Sequence, residues 1–394
     1  MKEYNLEADA LGNFEQQFDP ALTKGERIKV TVTKGNASAT QTKVAPTRKY
    51  DYPPRPDTFH LAIVGRHLDG YHMRIGRNED IAVQGMLSSQ ITGNFAGVMD
   101  FLQRIRKVSM RGETRNGAMI QSSTDVKELV IYPESRKLSQ NIAVSSKVES
   151  IIIPDEVTTV ENGAMSGMTN IAGQFRLPRD LETIGNNGMN ALFYVTRLIA
   201  NQKLKTVGNN GLSSMSNLVD QFDIPSTLES VGTSAFAGWS RYTGNFHIPA
   251  SLVSIGDGGF SENGGEGITF AQGFSMTTIP RRAFYSWFRA TGKLTIPEGV
   301  VNIGEQAFAD HVYRSELELP TTLRTIESYG IGGWFNATKF TFKSPVKMTM
   351  HIDALRGADS SRISIYVPSS LVNAYKADPA ITSLALEGRI FAIT

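Results

Sequence analysis

One aliphatic position recurs along this chain at a nearly constant interval, and no other feature of the sequence restricts the fold so severely. Its occupants are Val157, Leu181, Leu204, Leu228, Leu252, Met276, Val300 and Leu323, with gaps of 24, 23, 24, 24, 24, 24 and 23 residues. Three residues before most of these anchors stands a proline: Pro154, Pro178, Pro225, Pro249, Pro297 and Pro320. Three residues after each stands Val160, Ile184, Val207, Val231, Ile255, Ile279, Ile303 or Ile326. Glycine follows at Gly185, Gly208, Gly232, Gly256 and Gly304, and then a small residue beside a larger apolar one, as in Ala235–Phe236 and Ala307–Phe308. A fixed period in the twenties predicts a solenoid. A single unit cannot bury enough apolar surface to offset the ordering of its own backbone, so neighbouring units must cover it.

Within each unit, the segment before the proline ("FHI", "LTI", "LEL", "FDI") reads as a short strand. Proline has no N–H to continue a ladder and marks the strand's exit. The glycine is expected at a corner with positive φ, and the small–large pair in a turn tucked under the coil. The pattern I-P-x-x-[VL]-x-x-[IV]-G-x-x-[AG]-F resembles the BspA-type branch of the leucine-rich repeat family over about residues 150–394. The tail, with "YVPSSLVNAYK" before a last strand, is similar to that family's closing unit. Ser369 or Ser370 is placed to cap a helix running to Lys376. The sequence lacks the cysteine that often follows the A-F pair in the family. The resemblance implies recognition and adhesion and brings no catalytic residues.

All three tryptophans, Trp239, Trp287 and Trp334, fall three residues after the large member of the pair, in every second repeat. Asn263 and His311 occupy the same slot between them, and Arg241 and Arg289 follow the first two tryptophans by two residues. Two readings stand. In one, Trp239, Arg241, Trp287, Arg289, His311 and Trp334 form a ladder on one edge that stacks on sugars or grips a protein. In the other, each tryptophan closes the end of the core where the coil turns.

The rest of the chain reads as attachments. Residues 1–56 are predicted to be an extended arm ending in the proline-rich linker "DYPPRP". Residues 57–125 are predicted to be a small α+β attachment module. In it "FHLAIV" and "YHMRI" pair as a hairpin around Asp69–Gly70, and "NFAGVMDFLQRIRKV" is an amphipathic helix with Phe95, Val98, Met99, Leu102 and Ile105 on one face. Residues 126–394 form the solenoid, with a degenerate first repeat over 126–150 and a C-terminal cap from about 342. The fold class is therefore mostly β: a leucine-rich-repeat solenoid of 23–24-residue units with a small α+β module and an arm.

Composition narrows the function. A net charge of +2 gives no field for nucleic acid or anionic membrane. The absence of cysteine removes disulfides, thiolate metal sites and a cysteine nucleophile. His60, His67 and His72 cluster without accompanying carboxylates, so no metal is expected. Gly292–Lys293 has Trp287 where a phosphate loop needs its first glycine, and no Gly-x-Ser-x-Gly stretch occurs. The basic run Arg104, Arg106, Lys107, Arg111, Arg115 reads as a solvated helix end or as a dock for an acidic neighbour or phosphate. No secretory leader and no membrane span are read in the sequence. The expectation is a non-catalytic recognition protein without a cofactor. Its sharper form is a multi-copy bacteriophage virion component held by protein partners through residues 1–125, whose solenoid meets a glycan or protein receptor. The alternative is a bacterial cell-surface adhesin, and a minor one is an enzyme with its site in 57–125.

Overall fold

The computed structural model describes residues 127–131 and 136–393, together with the backbone of eight earlier strands between Lys2 and Arg111. It divides into two compact units, Met1–Val157 and Thr158–Thr394.

In the first unit, Lys2–Glu7 lies parallel to Arg27–Lys34, which pairs antiparallel with Ala37–Val44. The stretch expected to be an extended arm thus carries a three-stranded sheet. The expected hairpin is replaced by two separate pairings. Phe59–Val64 joins Ile105–Arg111 in parallel, while His72–Gly76 pairs antiparallel with Asp80–Val83 and with Glu15–Gln17. His60 and His72 therefore belong to different sheets; His67 lies outside the described residues. Most of the predicted helix also lies outside them, but its last four residues, 105–108, belong to the strand Ile105–Arg111. That strand pairs parallel with Glu128–Ile131, which pairs with Ser150–Ile152. The register Val108↔Leu129↔Ile151 advances by about one coil at each step, so repeat-like stacking begins upstream of residue 126.

The second unit is a continuous parallel coil. One flank is a ladder of two-residue strands, Thr159–Val160, Thr183–Ile184, Thr206–Val207, Ser230–Val231 and Ser254–Ile255. It resumes with Thr278–Ile279, Asn302–Ile303, Thr325–Ile326 and Thr349–Met350. The opposite flank carries longer strands, continuous from Gly292–Thr295 through Arg314–Leu319, Lys339–Phe342 and Ser364–Val367 to Ile390–Ala392. The expected closing unit is present, with a helix at Val372–Lys376. Neither Ser369 nor Ser370 caps it: a 3-10 turn, Ser369–Leu371, leads in, and no side chain accepts at the helix start.

The glycine column works differently from the expectation. None of Gly185, Gly208, Gly232, Gly256 or Gly304 has positive φ. Each N–H instead donates to the carbonyl of the buried aliphatic residue one coil earlier, as from Gly185 to Val160 at 2.7 Å. That brings the backbones so close that a Cβ on Gly256 would lie 2.4 Å from the Thr233 nitrogen. The positive-φ corners fall two and six residues later, at positions such as Asn210 and Ser214 or Arg282 and Ser286. Pro280 stands in the glycine column and has no N–H to offer Ile255, and the short-strand ladder breaks between Ile255 and Ile279.

The core is layered by residue type. The small–large residues stack coil upon coil, and Phe236, Phe260, Phe284 and Phe308 form a run of near-parallel rings with centroids 5.1–5.4 Å apart. Each also donates its N–H to the small member of the next coil, as Phe260 does to Ala283 at 2.9 Å. Seven of the eight anchors are buried, but Met276 is only half-buried. Phe274 takes that anchor's place: its N–H closes a turn onto Ala271 O, as Leu252 does onto Pro249 and Val300 onto Pro297. The unit before it is thus two residues short and the next two residues long, and the sum hides both.

Candidate functional site

The tryptophan slot solves one recurring problem in backbone chemistry. From Leu212 to Phe308 the carbonyl of the large core residue accepts from a side chain of the next coil, which keeps these buried acceptors paired. Trp239 Nε1 donates to Leu212 O at 2.7 Å, Trp287 Nε1 to Phe260 O at 2.7 Å and Trp334 Nε1 to Phe308 O at 2.8 Å. In the skipped repeats Asn263 Nδ2 donates to Phe236 O at 3.2 Å, and His311 Nε2 reaches Phe284 O at 2.7 Å. All five side chains are fully buried. The tryptophan alternation is therefore a continuous donor column in which Asn and His substitute for indole. Of the two readings of this slot, burial supports the one in which the rings close the end of the core.

The six candidates separate accordingly. Trp239, Trp287, His311 and Trp334 are inside; the His311 ring stacks on Trp334, 5.4 Å between centroids and 3° between planes. Arg241 and Arg289 are outside and exposed. Arg241 Nη1 donates to Asn217 Oδ1 at 3.1 Å, and the Arg289 guanidinium lies 5.8 Å from the Phe288 ring centre. A turn makes this partition: the N–H three residues past the slot bonds back to the slot's carbonyl, as Tyr242 does to Trp239 and Ala290 to Trp287. The two residues between are thrown outward.

One residue missed by the sequence reading lies beside this column. Arg314 occupies the inward position that holds Leu218, Tyr242, Ala290 and Ala337 in other coils, and it is 1% exposed. Its Nε donates to His311 Nδ1 at 3.1 Å, and its Nη1 reaches Thr291 O and Lys293 O, both at 3.3 Å. Nη2 has no partner. Desolvation pushes the Arg314 pKa down to about 10. Burial, with the Arg314 charge beside it, pushes His311 down to about 3. His311 is therefore neutral at pH 7, with its proton on Nε2 facing the carbonyl.

Among the described residues no group of three or more His, Asp or Glu is placed to hold a metal, and no helix is long and apolar enough to cross a membrane. The chain matches the model of the BspA type leucine-rich repeat region in six copies over residues 136–264 and 277–352. The stretch between the two blocks coincides with the irregular coil that is first shortened and then lengthened. Among curated proteins none matches. Solved structures similar to the chain include a leucine-rich repeat protein from Bacteroides ovatus, with 15% identity, 96% of this chain and 100% of that one covered, and a TM-score of 0.41. Another is a leucine-rich repeat protein from Eubacterium ventriosum, with 16% identity, coverage of 73% and 92%, and a TM-score of 0.40. A third is the pneumococcal vaccine antigen PcpA, with 12% identity, coverage of 95% and 100%, and a TM-score of 0.35.

Proposed function

The chain belongs to the BspA-type leucine-rich repeat family, and from that membership we propose a non-catalytic recognition protein whose solenoid presents a contact surface outside the cell. One observation carries the reading. The aliphatic and small–large columns stay apolar from coil to coil, but the two outward positions after the tryptophan slot keep no one chemistry. They read Phe193–Tyr194, Ser240–Arg241, Phe288–Arg289 and Val312–Tyr313 in four of the coils. Packing does not dictate these side chains, and a rigid scaffold that leaves one edge free to vary suits partner recognition.

In this reading residues 1–125 attach the protein to its surroundings and the solenoid meets a receptor. The virion form treats residues 1–56 as an extended arm held by protein partners. Lys2–Glu7, Arg27–Lys34 and Ala37–Val44 hydrogen-bond to one another instead, which removes that support. A cell-surface adhesin needs no such neighbour and is the form adopted here. The test is titration of the labelled full chain onto whole bacterial cells, mucin and extracellular-matrix proteins. Saturable binding to one of them is expected. Binding to phage particles alone would restore the virion form, and saturable binding to none of these would overturn the recognition reading.

A further inference from the structure

One junction between coils is open where its neighbours are closed. The residue after each anchor uses its carbonyl to hold the next coil. Glu229 O accepts from the N–H groups of Val253 and Ser254, Thr277 O from Val301 and Asn302, and Val301 O from Arg324 and Thr325. Val253 O accepts from no N–H of the next coil. Three positions past Thr277, Pro280 has no N–H for Ile255 O, and Ser254–Ile255 does not pair with Thr278–Ile279.

The opposite flank opens in the same coil. Gly267–Phe270 pairs with Asn245–Ile248 behind it but not with Gly292–Thr295 ahead, which starts a new sheet. The long-strand flank is also interrupted around residues 219–224. There the short-strand ladder runs through from Val207 to Val231, and a side chain bridges the gap. Gln221 Nε2 donates to Asn245 O at 2.8 Å, and its Oε1 accepts from Asn245 N at 3.0 Å. Among the described residues of the second unit, both ladders stop together only between coil 249–270 and coil 272–295.

One side of this junction is bonded throughout. Gly258 N–H donates to Arg281 O at 3.1 Å, Phe260 to Ala283 O at 2.9 Å, Glu262 to Tyr285 O at 2.8 Å and Thr291 to Glu266 O at 3.2 Å. The Phe260 ring stacks on Phe284 at 5.4 Å, and Trp287 Nε1 donates to Phe260 O. Arg281 Nη1 lies 3.3 Å from Asp257 Oδ2. A junction bonded along one side and without a ladder on the others can bend at little cost. Val253, Thr277 and Thr278 are exposed, so their unpaired backbone groups are satisfied by water, and opening breaks no ladder bond there.

We propose that the coil is built as two rigid arms, 158–270 and 272–393, joined by a hinge. It pivots on residues 258–266 and 281–291 and opens on the side of Val253 and Thr277. The outward positions Gly264–Gly265 and Phe288–Arg289 lie at the pivot, so the variable edge stays continuous while its curvature changes. The hinge is a property of the coil and does not depend on what the edge binds.

The chain has no cysteine, so introduced cysteine pairs carry spin labels without background. Double electron–electron resonance on the full chain then reads their distance distribution. Glu229→Cys/Arg324→Cys spans the hinge, and Thr158→Cys/Val253→Cys lies within one arm. In both pairs the labelled positions directly follow anchors four coils apart, about 19 Å by strand spacing. The hinge-spanning distribution is expected to be about twice as wide as the other. Pro280→Gly and Pro280→Ala return an N–H opposite Ile255 O and are expected to narrow it. Glu327 and His351 show that residues larger than glycine bond from this column, to Ile303 O and Ile326 O, both at 2.9 Å. Equal widths in the two label pairs would overturn the hinge, as would a width that neither proline variant reduces.

Discussion

His311 Nε2 lies 2.7 Å from the carbonyl oxygen of Phe284, one coil back, where Trp287 and Trp334 use indole N–H groups for the same purpose. The bond requires a neutral ring, and burial holds the His311 pKa near 3, below its unfolded value of about 6.5. The unfolded chain thus takes up this proton first as pH falls. His311 lowers stability progressively from about pH 6.5 toward pH 3 and contributes no such penalty above that window. Asn263 shows that an amide fills the slot, so His311→Asn is expected to keep the fold at pH 7.5. Between pH 7.5 and 4.5 its melting temperature should fall less than the parent's. Parallel slopes in thermal melts would refute the assignment.

The same column sets the outcome for the tryptophans. Trp287→Phe keeps most of the ring but leaves Phe260 O without its donor, at a cost of about 1–3 kcal/mol. Trp287→Ala adds a large cavity and is expected to cost about 3–5 kcal/mol. Chemical denaturation should give that ranking. A Trp287→Ala protein that kept its stability while losing partner binding would return tryptophan to the surface ladder.

Much of the coil was legible in the sequence because a solenoid core must repeat its side chains wherever the chain repeats its path. The aliphatic columns and the small–large pairs are read directly. Compensation hid the rest. Met276 keeps the numerical period, yet Phe274 is the anchor, because a two-residue deletion is followed by a two-residue insertion. Helical spacing carries the predicted helix on to Val108, but parallel neighbours on both sides make Ile105–Arg111 a strand, a pairing that local periodicity cannot reveal. The donor column escaped notice because indole, amide and imidazole look unrelated until the carbonyl they share is seen. Arg314 lies in an apolar column and carries no signal beyond its position.

Glycine substitutions separate two kinds of constraint. At Gly256 an added methyl meets the Thr233 backbone nitrogen at 2.4 Å, and at Gly304 it meets the Arg281 nitrogen at 3.0 Å. Gly173 has φ +76° and open space around the methyl position. Gly256→Ala is expected to cost about 3 kcal/mol by pushing two coils apart. Gly304→Ala should cost less, and Gly173→Ala about 1–2 kcal/mol from backbone strain alone. Melts of the three variants test the order. Equal losses would mean that coil contact is not what selects glycine at 256.

Arg314 is expected to be a burden the fold tolerates. Its guanidinium is buried with three modest hydrogen bonds, one nitrogen without a partner and no carboxylate beside it. Removing a buried charge in favour of a well-packed apolar side chain is often neutral or stabilising, and Leu218 occupies the same inward position four coils earlier. Arg314→Leu does leave His311 Nδ1 without its donor, which takes back about 1 kcal/mol. The net expectation is a melting temperature equal to or above the parent's. Because the Arg314 charge also holds the His311 pKa down, the His311 pKa should rise and acid unfolding should begin at lower pH. A loss of several degrees at pH 7.5 would show instead that the bonds from Arg314 to Thr291 and Lys293 hold the strand edge together.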